Sequence, residues 1–336
     1  MTNPVPPGAS GSDPAGSAVK ARTPADLVAS IALGMGYHPH DQVVLAGVRD
    51  GKLAFLAADT LALPGTDGGE PPRVREMVQH AVRNAASAVF IVGYGTPAAV
   101  DPVLRHAEVL CRQYDMAVAD LLRVTSGRVF SLLCTDPRCC PPEGTTLDLA
   151  ASPVTATAVT EGVVIRSSRA ALLDTIAPAG GAQEEAMSAA TRRAAHRALL
   201  LTDVGGLEGM LRATREAITA AVARYRDGGR LDDDELAWLT VHLLTDPARE
   251  MVLRGINPRE PWHVELWSDV VRRTTSELVA APAALLAFAA WRTGNGPLAY
   301  EAVRRALSSD PNFPLAVVLE HLLACGASPD EFTRRL

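Results

Sequence analysis

The chain has 336 residues, 48% of them hydrophobic and 21% charged, with a formal net charge of −6 and a sequence pI near 5.8. This length predicts two domains, each with a core large enough to stand without disulfides. The acidic balance argues against a nucleic-acid partner, whose phosphates call for clustered Lys and Arg, and no apolar run reaches the roughly 18 residues of a membrane-spanning helix.

The first 19 residues, MTNPVPPGASGSDPAGSAV, lack the basic and apolar regions of a signal peptide and read as a disordered tail, 1–19. With no export signal and an odd count of five cysteines, the thiols are expected to be reduced and the protein cytoplasmic. An α/β domain with a mixed sheet is expected over 20–177. It opens with TPADLVASIALG, where Thr23 is the N-cap, Pro24 the first helical position and Gly34 the stop. In DQVVLAGVRDGKLAFLAADTL, two apolar runs flank Arg49-Asp50-Gly51, a hairpin signal. PPRVREMVQHAVRNAA reads as a helix, AVFIVGYG as a buried strand and AAVDPVLRHAEVLCRQYDM as a second helix. DLLRVTSGRVFSLLC is a hairpin turning at Ser126-Gly127, and a GVVIRSS strand with a RAALLDTIA helix closes the domain.

PAGGAQ, residues 178–183, is the expected linker, and beyond it, over 184–336, every pattern is helical. LDDDELAWLTVHLL starts with three aspartates, which suit the exposed amides and positive dipole of a helix start better than a metal ion. Trp238, Trp262, Trp267 and Trp291 sit at helix-core spacing and are expected to anchor packing. At the end of the chain, small residues at Ala287, Ala299 and Ala306 flank a turn at Gly294-Asn295-Gly296, the spacing of a tetratricopeptide-like hairpin. Tight helix crossings without any repeat account for the same pattern.

Three places could carry chemistry. RVFSLLCTDPRCCPPEG sets Cys134, Cys139 and Cys140 after a strand. Zinc wants four thiolate or imidazole ligands, so Cys111 or His106 would have to complete the set, while adjacent Cys139 and Cys140 should point apart in extended backbone. Arg138 could stabilise a thiolate. The favoured reading is a turn shaped by Pro137, Pro141, Pro142 and Gly144 in which the cysteines pack as small apolar groups, so zinc is not favoured. In VFIVGYGTPAAV, Gly93, Gly95 and Ala98 occupy the small-residue positions of a dinucleotide fingerprint, with Asp115 and Asp120 loosely placed for a ribose; a βα turn that needs small residues is the alternative. His38-Pro39-His40-Asp41 gathers two imidazoles and a carboxylate in a turn, a composition that turns also collect for backbone reasons.

Three blocks, LGMGYHPHDQVVLAGV, CTDPRCCPPEG and LLAFAAWRTGNGPLAYEAVRRALSSDPNFPLAVVLEHLLACG, together resemble an actinobacterial family known as domain of unknown function 4192. The resemblance runs over nearly the whole chain after the tail and implies a cytoplasmic, actinobacterial setting. It supplies no activity, substrate or cofactor, and so no role for any residue. The residues themselves favour a protein-binding or scaffold protein with a protein partner and no nucleic acid or membrane. Its helical end would offer Arg304, Arg305 and Glu301 on an outer face. The alternative is an enzyme using the Cys134–Cys140 loop, or a nucleotide at the Gly93–Ala98 turn.

Overall fold

A computed structural model describes residues 23–61, 73–160, 163–327 and 329; the expected tail lies outside them. The first helix, α1 (Pro24–Met35), begins with a reciprocal capping box between Thr23 and Asp26. It runs through Gly34, the expected stop, and ends at Gly36, whose φ of +71° is the left-handed cap that glycine adopts without a Cβ penalty. Strands β1 (Gln42–Arg49) and β2 (Lys52–Thr60) pair antiparallel across Asp50-Gly51. Both turn residues have positive φ, the backbone twist a two-residue hairpin demands.

The chain continues through α2 (Val74–Arg83), β3 (Ala88–Tyr94), α3 (Pro97–Gln113), β4 (Val118–Thr125), β5 (Arg128–Ser131) and the short β6 (Thr145–Thr146). These six strands form one mixed sheet in the order β2-β1-β3-β4-β5-β6, in which only β3 and β4 run parallel. Helix α3 makes that crossover. The alternation along the strands sorts two cores. Val43, Leu45, Val89, Ile91 and Leu121 meet α2 and α3 on one face. Val44, Ala46, Val92 and Leu122 meet α1 on the other. The expected GVVIRSS strand is not formed: over 163–168 only Arg166 bridges to Tyr37. Two short helices, α4 (Pro153–Thr160) and α5 (Arg169–Asp174), complete this part.

After the loop 178–181, the rest of the chain is helical: α6 (Ala182–Arg226), α7 (Asp233–His242), α8 (Asp246–Gly255), α9 (Trp262–Arg273), α10 (Ala280–Arg292), α11 (Gly296–Ser309) and α12 (Pro314–Ala324). Helix α10 is buried on all sides from Ala280 to Trp291, and α8, α9, α11 and α12 pack around it. Ala287, Ala299 and Ala306 are fully buried, as close approach of α10 and α11 requires. The apolar cluster behind the sheet continues through α1 into these helices. The three aspartates start α7: Asp232 caps it, Asp233 pairs with Arg273 at 2.6 Å and Asp234 with Arg193 at 2.5 Å. Helix α6 bends at Gly206, φ +57°. Just before and after that bend Leu199, Leu200, Val204 and Leu207 face solvent, Val204 at 90% exposure. Among the described residues no helix is long and apolar enough to cross a membrane.

His242 closes α7 at 2% exposure, edge-on to the Trp238 ring, with Nδ1 2.8 Å from Thr214 Oγ1. Burial, and secondarily Arg197, pushes its pKa down from 6.5 to about 4. The fold therefore holds it neutral, whereas the unfolded chain takes up a proton near 6.5. Its contribution to stability is complete above pH 6.5, shrinks as pH falls towards 4 and levels off below. Over that window the loss is about 3 kcal/mol. Urea unfolding from pH 7 to pH 4 should show this slope in the wild type and a shallower one in His242→Leu; equal slopes would contradict it.

Candidate functional site: the thiol loop

The loop from Leu132 to Gly144 leaves the sheet at β5 and returns to it at β6, so its two ends are pinned side by side. Val129 pairs with Thr145 and Arg128 with Thr146. The Arg128 side chain ties the returning strand, donating from Nε to Glu143 O at 2.6 Å and from Nη2 to Gly144 O at 2.8 Å. Gly144 has φ +76° and is buried under Phe130; a Cβ there would lie 2.7 Å from the ring. A side chain there is strained on both counts. From α3, Arg105 donates to Leu132 O at 2.9 Å.

Inside this frame a chain of hydrogen bonds leads from the sheet to the thiols. Val118 pairs with Val89 and Asp120 with Phe90, so Ala119 is an extra residue, a bulge of the kind that re-aims a side chain. Asp120 Oδ1 accepts from Ser131 Oγ at 2.7 Å, and that oxygen accepts the N–H of Cys134 at 3.0 Å. Asp136 then turns the backbone: its carbonyl accepts from the N–H groups of Cys139, at 3.1 Å, and Cys140, at 2.8 Å. The three sulfurs lie within 4.8 Å of one another, Cys139 exposed and Cys134 and Cys140 half-buried.

The turn overrides the expectation that Cys139 and Cys140 diverge, because the backbone there is not extended. The fourth ligand proposed from the sequence is corrected as well. Cys111 is fully buried in the core between α3 and the sheet, and His106 stands exposed on α3; neither joins the cluster. Arg138 is engaged by Asp136, its guanidinium 3.0 Å from the carboxylate. A hydrogen bond at the Asp136 backbone, followed by Cys140, holds the Cys134 thiol below its ordinary range. Burial, and then the neighbouring thiols, pushes Cys140 up to about 12, and burial raises Cys111 to about 11. The Cys134 thiol therefore gives up its proton more readily than that of Cys140.

The other sequence candidates have structural occupations. A Cβ on Gly93 would lie 2.3 Å from Val100 Cγ1, so this glycine lets α3 sit on β3. Gly95, φ +149°, makes the turn, and Ala98 is exposed on the first turn of α3. The Tyr37–Asp41 turn is held by the bond from His38 N to Arg166 O at 2.9 Å, with His40 exposed. At the helical end, the expected outward face is corrected for two of three residues. Glu301 is 7% exposed and paired with Arg169, and Arg305 donates to the carbonyls of Ile176 and Val271. Only Arg304 is exposed, 3.6 Å from Glu301. Sequence reasoning missed Ser131 and gave Asp120 another role, loosely placed for a ribose, whereas its carboxylate accepts from Ser131 beneath the thiol loop; the one signal was an acid inside an apolar strand.

Fold and loop together define a mixed-sheet α/β protein that carries a closed, thiol-bearing loop and a helical C-terminal region. The chain belongs to the family described as a domain of unknown function (DUF4192), whose model matches residues 24–330. No curated protein and no solved structure matches it.

Proposed function

We propose that this protein is a thiol-dependent binding protein whose working group is the loop around Cys134, Cys139 and Cys140, and that it captures a soft, thiophilic ligand there. The observation that carries this reading is the convergence of three sulfurs within 4.8 Å on a loop whose base is closed by the sheet. Cysteines serving only as small apolar filler would be spread through the packing, as Cys111 is. Here two of the three are half-buried, one is exposed, and all face one another. Soft thiolates favour soft acceptors, whether metal ions or electrophilic centres.

Phenylarsine oxide tests the reading without any metal, because its trivalent arsenic bonds two thiol sulfurs and releases water. Native mass spectrometry of the reduced chain should show one equivalent captured by the wild type and by Cys325→Ser. Capture should be absent in the triple variant Cys134→Ser, Cys139→Ser, Cys140→Ser. Failure of the wild type to bind, or retention by the triple variant, would contradict it.

A second reading, protein binding, draws support from a different feature than the sequence suggested. Arg305 and Glu301 are consumed by internal bonds, but Leu199, Leu200, Val204 and Leu207 form an exposed apolar stretch at the bend of α6. Contiguous exposed apolar surface is a mark of association. Light scattering at rising concentration should give a mass above that of one chain that returns to one chain in Val204→Asp, Leu207→Asp; a monomeric wild type would count against self-association.

A further inference from the structure

We infer that the three thiols form a site for a single thiophilic d10 metal ion, Zn²⁺ or Cu⁺, bound by Cys134, Cys139 and Cys140 with its remaining side open to solvent. This rests on the thiol-dependent reading and names the ligand class for that site.

The argument is geometric. Thiolate bonds of about 2.3 Å to one ion place three sulfurs about 4 Å apart in a trigonal arrangement. The separations in the loop, all within 4.8 Å, need only side-chain adjustment to reach it. Two thiols are enough to form a disulfide or to capture an electrophile, whereas three converging sulfurs match the ligand set of one ion. The arrangement is also built from below. Metal ligands work best when a second layer of hydrogen bonds fixes them, and here the Asp120–Ser131–Cys134 chain and the two bonds to Asp136 O fix the backbone at all three cysteines. Among the described residues no further Cys, His, Asp or Glu joins the group, and Cys139 lies on the exposed side. That leaves a coordination position for water or an exogenous ligand, the pattern of a site that exchanges or reacts in place of one that only staples a fold.

The test loads the reduced full-length chain, under anaerobic conditions, with Zn²⁺ in one arm and Cu⁺ in the other. Each is followed by chelator competition and elemental analysis. Co²⁺ in place of Zn²⁺ reports sulfur ligation through its charge-transfer band. One ion per chain should survive competition, and the arm in which it survives identifies the ion. Cys134→Ser, Cys139→Ser and Cys140→Ser should each lose stoichiometric retention. Ser131→Ala should weaken affinity by about 10- to 100-fold, and Cys325→Ser should leave it unchanged. The Co²⁺ band in the wild type reads the site even where a variant fails to fold. Retention undiminished by Cys139→Ser would overturn three-thiol ligation. No retained ion in either arm, with phenylarsine oxide still captured, would overturn the metal site and leave the thiol reading standing; loss of both would remove both.

Discussion

Closure of one loop at its base is the constraint on which the candidate site depends. A 13-residue excursion, 132–144, has many conformations, and ordering each residue costs on the order of 1–2 kcal/mol in backbone entropy. The sheet offsets that cost from outside the loop. Two residues of β6 pair with β5, and Arg128 donates twice to the returning backbone. A buried glycine, Gly144, leaves room for the Phe130 ring beside the returning strand. Prolines at 137, 141 and 142 reduce the freedom that remains. With both ends fixed, the bonds of Ser131 and Asp136 are enough to decide where three side chains meet.

The helical region is linked to the sheet that carries this loop by a continuous apolar cluster. Its cluster runs from α10 and α11 through α1 to the back of β1, β3 and β4, so the strand that carries Asp120 is packed on both faces. Polar ties reinforce that contact. Glu301 on α11 pairs with Arg169 on α5, and Arg305 satisfies the carbonyls of Ile176 and Val271. Tyr37 donates to Gln42 at 3.1 Å where α1 hands over to β1. Two of the charged residues that looked like a binding face from sequence, Glu301 and Arg305, therefore reinforce the packing of α11.

Local rules made much of the fold legible. Both hairpin turns, the Thr23 capping box and the helical pattern beyond Ala182 follow from signals spanning a few residues. What escaped was set by distant partners. Val163–Ser168 has strand composition, but its backbone finds only the Tyr37 bridge. Helix α1 runs one residue past Gly34 because Met35 is buried and Gly36 can adopt the left-handed cap. For the site, the three cysteines were visible and their convergence was not. Adjacent cysteines diverge in an extended chain, and only the turn at Asp136, with Asp120 brought round by a bulge in a neighbouring strand, reverses that. Glu301 and Arg305 misled for the same reason: helical spacing gives a face but not the neighbour that covers it.

The central claim is that backbone closure, and not the cysteines alone, creates the site. The direct measurement is the affinity of Gly144→Ala for phenylarsine oxide, compared with the wild type, with circular dichroism confirming an intact fold. All three thiols remain in this variant, but a Cβ at φ +76° would lie 2.7 Å from Phe130. Strain of about 1–3 kcal/mol at such a position should open the loop and weaken capture about tenfold or more. Undiminished affinity in a folded Gly144→Ala chain would show that the thiols converge without the closure, and would contradict the account.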